Sequence, residues 1–298
     1  LDTVLPRRDL LPANIYLSAP TILTSRGCRH HCSFCTIPCT WKGRLGARLI
    51  PDVINEIESL RAPEILFLDP NLIADRERAL ELFEALIPLR RRWFGLATLD
   101  IVEDRELRDL AVRSGCRGLL FRFETVSPSS LVQCAKPFQQ IERYREAVQT
   151  LHAHEIAVLG CFIFGFDGDT ERVFRDTLEF LDRTRIDIPR YASLTPFPGT
   201  PLFKRLKREG RILTEDWSRY DSQTVVFRPQ GMESDVLQKG LYDIWKRTYS
   251  MPRIASRVLH ARGHRARVCA VSLGFKHHAA KLADHRRFAD AAVDLSTP

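Results

Sequence analysis

The chain has 298 residues, 44% of them hydrophobic and 28% charged. That is ordinary globular composition, which excludes a mainly disordered chain and allows two average domains or one α/β barrel. Its longest apolar run, Ile156 to Phe166, is too short for a membrane helix and contains two glycines. Lys and Arg exceed Asp and Glu by 45 to 37, a formal charge of +8. Most of that excess lies in the tail: residues 251–298 hold nine Lys and Arg against three Asp. Such a tail reads first as a solvated helical face or docking surface, so nucleic acid is disfavoured as a partner. The first eleven residues include Pro6, Arg7, Arg8 and Asp9 and do not read as a signal peptide.

In chain order, short β-like runs alternate with helical ones. Thr21–Thr24 reads as a strand and Pro51–Arg61 as a helix, with Val53, Ile54, Ile57 and Leu60 at helical spacing. A strand follows at Glu64–Leu68. Asp75 then suits the N-cap of a helix over Arg76–Arg92. The alternation continues with a strand at Phe94–Leu99, a helix at Asp104–Ser114, a strand at Gly118–Phe123 and a helix at Ile141–His154. Next come a strand at Ala157–Phe164, a helix at Thr170–Arg183 capped by Thr170, and a strand at Tyr191–Leu194 broken by Pro196, Pro198 and Pro201. Six strand–helix units imply a parallel sheet with right-handed crossovers. The expected fold is a partial (β/α)6 barrel, with a doubly wound sheet as the alternative. Asp216–Pro229 reads as irregular and aromatic, Ser234–Ser250 as a helix, and the remainder as helical and basic. The expected division is a lead-in over 1–20, a core over 21–230 and a helical extension over 231–298.

Eight cysteines in a long chain without a signal sequence point to metal or cofactor chemistry in a reducing cytoplasm rather than to disulfides. Cys28, Cys32 and Cys35 stand at x3 then x2 spacing directly after the first strand, where loops build the active face of a parallel α/β sheet. Three thiolates can each hold one iron of a 4Fe-4S cubane and leave the fourth iron open. Two alternatives use the same residues. Cys39 could close the set as a fourth ligand, or a zinc ion could recruit Cys39, His30 or His31. The position inside a β/α series favours the open cluster, because zinc ribbons normally sit on small hairpins. The scattered Cys116, Cys134, Cys161 and Cys269 read as small buried hydrophobes.

The segment from Thr24 to Ile37, with Phe34 before the last cysteine, resembles the cluster loop of the radical S-adenosylmethionine (SAM) superfamily. The resemblance implies a partial barrel, a 4Fe-4S cluster on Cys28, Cys32 and Cys35, and SAM cleaved to a 5′-deoxyadenosyl radical. It implies that Phe34 shields the cluster and contacts the nucleoside. It extends to Asp69-Pro-Asn71 at the second strand end, Glu124 at the fourth, Ile163 and Gly165 in the fifth, and Pro196 after the sixth, all assigned to SAM binding. Within the superfamily, Leu194-Thr-Pro-Phe-Pro-Gly-Thr-Pro201, Glu209-Gly-Arg-Ile212 and Asp216-Trp217 look like the branch that usually carries an N-terminal cobalamin-binding domain. This chain departs from that branch in having no Asp-x-His-x-x-Gly signature, in Arg29 where a proline is common, and in Arg122 where the superfamily often has glycine. The expectation is a missing upstream domain or a stand-alone relative, with cobalamin bound only if such a domain is restored. The implied reaction is C-methylation or rearrangement of a small, natural-product-like substrate, with a flavodoxin or ferredoxin as reductant. The alternatives are a methylthiolation-type modification of RNA or protein and a non-catalytic iron–sulfur or zinc protein.

Overall fold

A computed structural model describes residues 5–10, 19–133, 141–261 and 263–294. Cys134 and most of the lead-in lie outside the described residues. The elements in chain order are β1 (Thr21–Ile22), β2 (Ser25–Arg26), α1 (Thr36–Trp41), β3 (Gly46–Ala47), α2 (Ile50–Ser59), β4 (Glu64–Phe67), α3 (Arg76–Leu86), β5 (Arg92–Leu96), α4 (Asp100–Glu103) and α5 (Arg105–Arg113). They continue with β6 (Cys116–Glu124), α6 (Pro128–Gln133), α7 (Ile141–Ala153), β7 (Ala157–Phe164), α8 (Arg172–Thr184), β8 (Ile188–Ser193), α9 (Pro201–Arg208), α10 (Ser234–Thr248), α11 (Met251–His260) and α12 (Arg265–Asp294).

Six strands are ordered β1-β4-β5-β6-β7-β8, and β2 with β3 makes a separate antiparallel pair. The registers β1–β4, β4–β5, β5–β6 and β7–β8 are all parallel. This is the α/β sheet with intervening helices that the alternation predicts. The chain forms two compact units whose boundaries cut through β6, α7 and β7.

The first unit, Leu1–Arg122 with Gln149–Val158, is organised around one aromatic cluster. Trp93 stacks on Phe83 at 5.1 Å and meets Phe67 edge-on at 5.7 Å. Its indole N–H donates to Ser114 Oγ at 3.1 Å, which keeps the buried donor satisfied. Asp75 caps α3 as expected, accepting from Arg78 N, and Asp104 caps α5 by accepting from Leu107 N. β5 begins two residues before the predicted Phe94. Arg92 is drawn into the ladder opposite Glu64, with which it pairs at 3.0 Å, and Trp93 N donates to Gly115 O.

The second unit, Phe123–Val148 with Leu159–Pro298, buries Phe123, Tyr144, Phe162, Phe180 and Tyr191 together. The cap expected of Thr170 is not made. α8 starts two residues later with Glu171 at the N-cap and no side-chain cap bond, while the Thr170 carbonyl closes a turn to Val173 N. The basic tail is largely a packing element in its first half. Val268 lies with Ile188 and Ala261 in a buried cluster, and Phe275 stacks on Tyr249 and Trp245 at 5.3 and 5.4 Å. Tyr249 Oη donates to Pro189 O at 2.6 Å, which fastens the end of α10 to β8. Among the described residues no helix is long and apolar enough to cross a membrane.

Candidate active site

In the first unit the cysteine loop is shaped by its own backbone. Gly27 has φ +94°, and a Cβ there would lie 1.9 Å from the Arg44 carbonyl oxygen, so the loop closes over β3 only with glycine at this point. Beyond the turn, Cys28 and Cys32 are buried, Phe34 is buried beside them in sequence, and Cys35 is half-buried. Cys35 N donates to Cys32 O at 3.1 Å, and Cys35 is the N-cap of α1. Cys39 lies exposed one turn into α1, its Sγ 3.8 Å from the Cys35 carbonyl oxygen. None of these thiols is in a disulfide.

Asp69 and Asn71, expected together at the end of β4, have different surroundings. Both Asp69 oxygens are engaged: Oδ2 accepts from Thr24 N at 3.0 Å, and Oδ1 accepts from Thr24 Oγ1 at 2.7 Å and Ser25 Oγ at 2.5 Å. This fully buried carboxylate therefore clamps the chain between β1 and the cysteine loop to β4. Asn71 Oδ1 accepts from Ile73 N at 3.3 Å, forming an Asx turn.

Three arginines and Glu56 complete the support, and the sequence reading had singled out none of them. Arg78 donates to Thr24 O at 3.3 Å. Burial pushes its pKa below the usual value, against the opposing pull of Asp69 and Asp75. Arg8 and Arg48 both bond the buried Glu56, and they also donate to the carbonyls of Thr21 and Leu23. Glu56 falls on the helix face expected to be apolar, and that mismatch was the available signal.

In the second unit Glu124 ends β6, fully buried and at φ +62°, an uncommon backbone state for a residue with a side chain. Ile163 is half-buried on β7 opposite Ala192, and Pro196 is buried in the turn after β8. Gly165 has φ +106°, and a Cβ there would come within 2.8 Å of Leu237.

The Gly165 turn is held by a residue not among the expected site positions. Asp169 accepts from Gly165 N at 2.9 Å, Phe166 N at 3.1 Å and Ser130 Oγ at 2.6 Å. Burial raises its pKa in spite of those bonds. Its neighbour Asp167 goes the other way. Burial would raise the carboxyl, but hydrogen bonds from Arg211 and Arg205 outweigh it and hold Asp167 below the usual carboxylate range. A depressed folded value means stability that is present above the unfolded value and lost as pH falls through the folded one. Asp167→Asn is therefore expected to lower stability at neutral pH, with the difference from the parent chain shrinking below about pH 4. Urea titrations across that range check it, and a difference that does not change with pH would contradict it.

Against known proteins, residues 22–181 match the family model described as the radical SAM superfamily. The chain belongs to the radical SAM superfamily. Residues 200–272 match a second family, described as a domain of unknown function. The bacteriochlorophyllide d C-12(1)-methyltransferase of Chlorobaculum tepidum is 32% identical over 252 residues, 83% of this chain and 55% of that protein. The hopanoid C-2 methylase of Rhodopseudomonas palustris is 28% identical over 71% of this chain and 42% of its own length. The chain thus spans about half the length of these curated relatives. A radical SAM methyltransferase from Kitasatospora setae, solved with cobalamin and a 4Fe-4S cluster, superimposes with TM-score 0.59 at 22% identity, over 64% of this chain and 37% of that one. This likeness shows a shared fold.

The cofactors of the superfamily are a 4Fe-4S cluster and SAM, and the donor set fits the cluster. Three thiols share one loop, two of them shielded from water. Among the described residues no three His, Cys, Asp or Glu side chains converge as for a single metal ion. A cubane makes no such demand, because each thiolate binds a different iron.

Proposed function

We propose that this chain performs the SAM-cleaving step of an enzyme that C-methylates or rearranges a small molecule. The observation that carries the reading is the Cys28–Cys32–Cys35 loop, which follows β1 of a parallel sheet in a chain of this superfamily. When bound, the cluster supplies the electron that cleaves SAM to methionine and a 5′-deoxyadenosyl radical. The chain's own residues bind, orient and shield. Cys28, Cys32 and Cys35 hold three irons, and the Phe34 ring keeps water from the cluster and meets the nucleoside. Asn71 and Glu124 offer acceptors to the SAM ammonium group, while Ile163, Gly165 and Pro196 line the adenosine side. Asp69 serves SAM through its hold on the loop.

The names of the relatives favour a tetrapyrrole-like or polycyclic small molecule as substrate and methyl transfer as outcome. A methyl carrier such as cobalamin would then be required. This sequence has no Asp-x-His-x-x-Gly motif for it, and cobalamin would be bound only if a domain carrying such a motif were joined upstream. A flavodoxin or ferredoxin in a reducing cytoplasm is the proposed electron source.

Anaerobic reconstitution with iron and sulfide, then SAM and dithionite, is expected to yield 5′-deoxyadenosine and methionine in equal amounts. Asn71→Ala and Glu124→Ala should retain the cluster and weaken SAM binding roughly tenfold or more, the scale of one lost bond to a charged group. A reconstituted cluster with no deoxyadenosine, or SAM affinity unchanged in both variants, would overturn the assignment.

A further inference from the structure

We propose that the second unit carries an oxyanion site, suited to the phosphate group of a small ligand, between the C-terminal end of α8 and helix α11. A cavity of about 340 Å³ lies there, lined by Asp182, Arg185, Arg253, Ser256, Arg257 and His260 among others. Its size is at the lower end of small-molecule pockets. Three arginines against one aspartate leave an excess of two positive charges with His260 neutral, which matches a phosphate dianion better than a carboxylate. Asp182 is already committed to Arg253 at 2.9 Å. Arg185, at the end of α8, has no ion pair among the described residues.

Arg257 is the decisive group. Its Nη1 donates to Thr248 O at 2.8 Å, and its guanidinium lies 4.8 Å from the centre of the Tyr249 ring. Its Nε and Nη2 are buried and have no hydrogen-bond partner among the described residues. These two donors form one edge of the fork, the edge that binds a phosphate or carboxylate through two parallel bonds. Both are shielded from water here, and an anion would engage them on a turn of the guanidinium toward the cavity that Arg257 lines. Burial lowers the pKa of Arg257, and Tyr249, Tyr191 and Asp187 offset only part of that cost. An anion in the cavity would supply the missing countercharge. Buried arginines commonly find a carboxylate within the protein; this one borders open space instead.

The site owes nothing to the cluster, so it is tested on the chain without iron. Calorimetric titrations at fixed ionic strength compare inorganic phosphate, inorganic diphosphate and acetate. The expected result is saturable 1:1 binding of phosphate and diphosphate, at least tenfold tighter than acetate. Arg185→Glu, an exposed change that leaves the core intact, should weaken it at least tenfold. Arg257→Lys, which keeps the charge and removes the fork, should weaken it similarly while circular dichroism stays unchanged. If Arg257→Lys unfolds the chain, Arg185→Glu alone decides. No saturable binding, acetate binding as tight as phosphate, or undiminished binding in Arg185→Glu would overturn the proposal.

Discussion

Replacing Cys28, Cys32 or Cys35 singly by alanine is expected to abolish the reconstituted cluster and all SAM cleavage, while Cys39→Ala leaves both intact. In the proposed cluster each of the three loop thiols would be the sole protein ligand of one iron, so no partial site would survive its loss. Cys28 and Cys32 are buried and Cys35 begins α1, so all three belong to the folded loop itself. Cys39 is exposed on the following helical turn. Iron and sulfide content, about four of each per chain, and the visible absorbance of the cluster provide the measurement, with 5′-deoxyadenosine as the activity readout. A Cys39→Ala protein without the cluster would establish a closed four-cysteine site.

Asp69→Ala is expected to cost about 3–5 kcal/mol in the metal-free chain, within the range reserved for broken buried networks. The substitution strands the Thr24 amide and the hydroxyls of Thr24 and Ser25, and it removes one countercharge of the half-buried Arg78. Asp69→Asn keeps one acceptor and should recover part of the loss. Denaturant unfolding of the three proteins distinguishes two roles for this residue. A clamp predicts the loss of stability just described. A carboxylate serving SAM directly predicts stability within about 1 kcal/mol of the parent, with only SAM affinity reduced. The second pattern would overturn the clamp.

Much of this arrangement was legible in the residues themselves. Thiols at x3 and x2 spacing after a strand are a local pattern, and local patterns survive any tertiary context. The α2 and α3 helices announce themselves through apolar periodicity and, for α3, through a capping aspartate whose bond is present. What the sequence did not disclose are interactions between residues far apart in the chain. Asp69 looks like a strand-end ligand in the sequence, and only the fold shows that Thr24 and Ser25, more than forty positions earlier, donate to both of its oxygens. Arg48 and Glu56 look like surface charges until Arg8 and Arg48 are both seen to bond the buried Glu56 and to donate to the carbonyls of Thr21 and Leu23. Thr170 has the composition of a cap, yet the neighbouring Asp169 folds back on Gly165 and displaces the helix start. The short helices α1, α4, α6 and α9 span at most eight residues, too few for a period to emerge.

β1 has only two residues and lies at one end of the strand order. Its ladder bonds are correspondingly few, so the grip on the cluster loop is lateral, carried by the side chains of Arg8, Arg48, Asp69 and Arg78. The hold on this segment therefore rests on polar side-chain bonds more than on ladder bonds. Four polar side chains carry it, and two of them, Asp69 and Arg48, are buried. Losing one of these bonds would loosen the entry to the cluster loop without removing a ladder bond of the sheet.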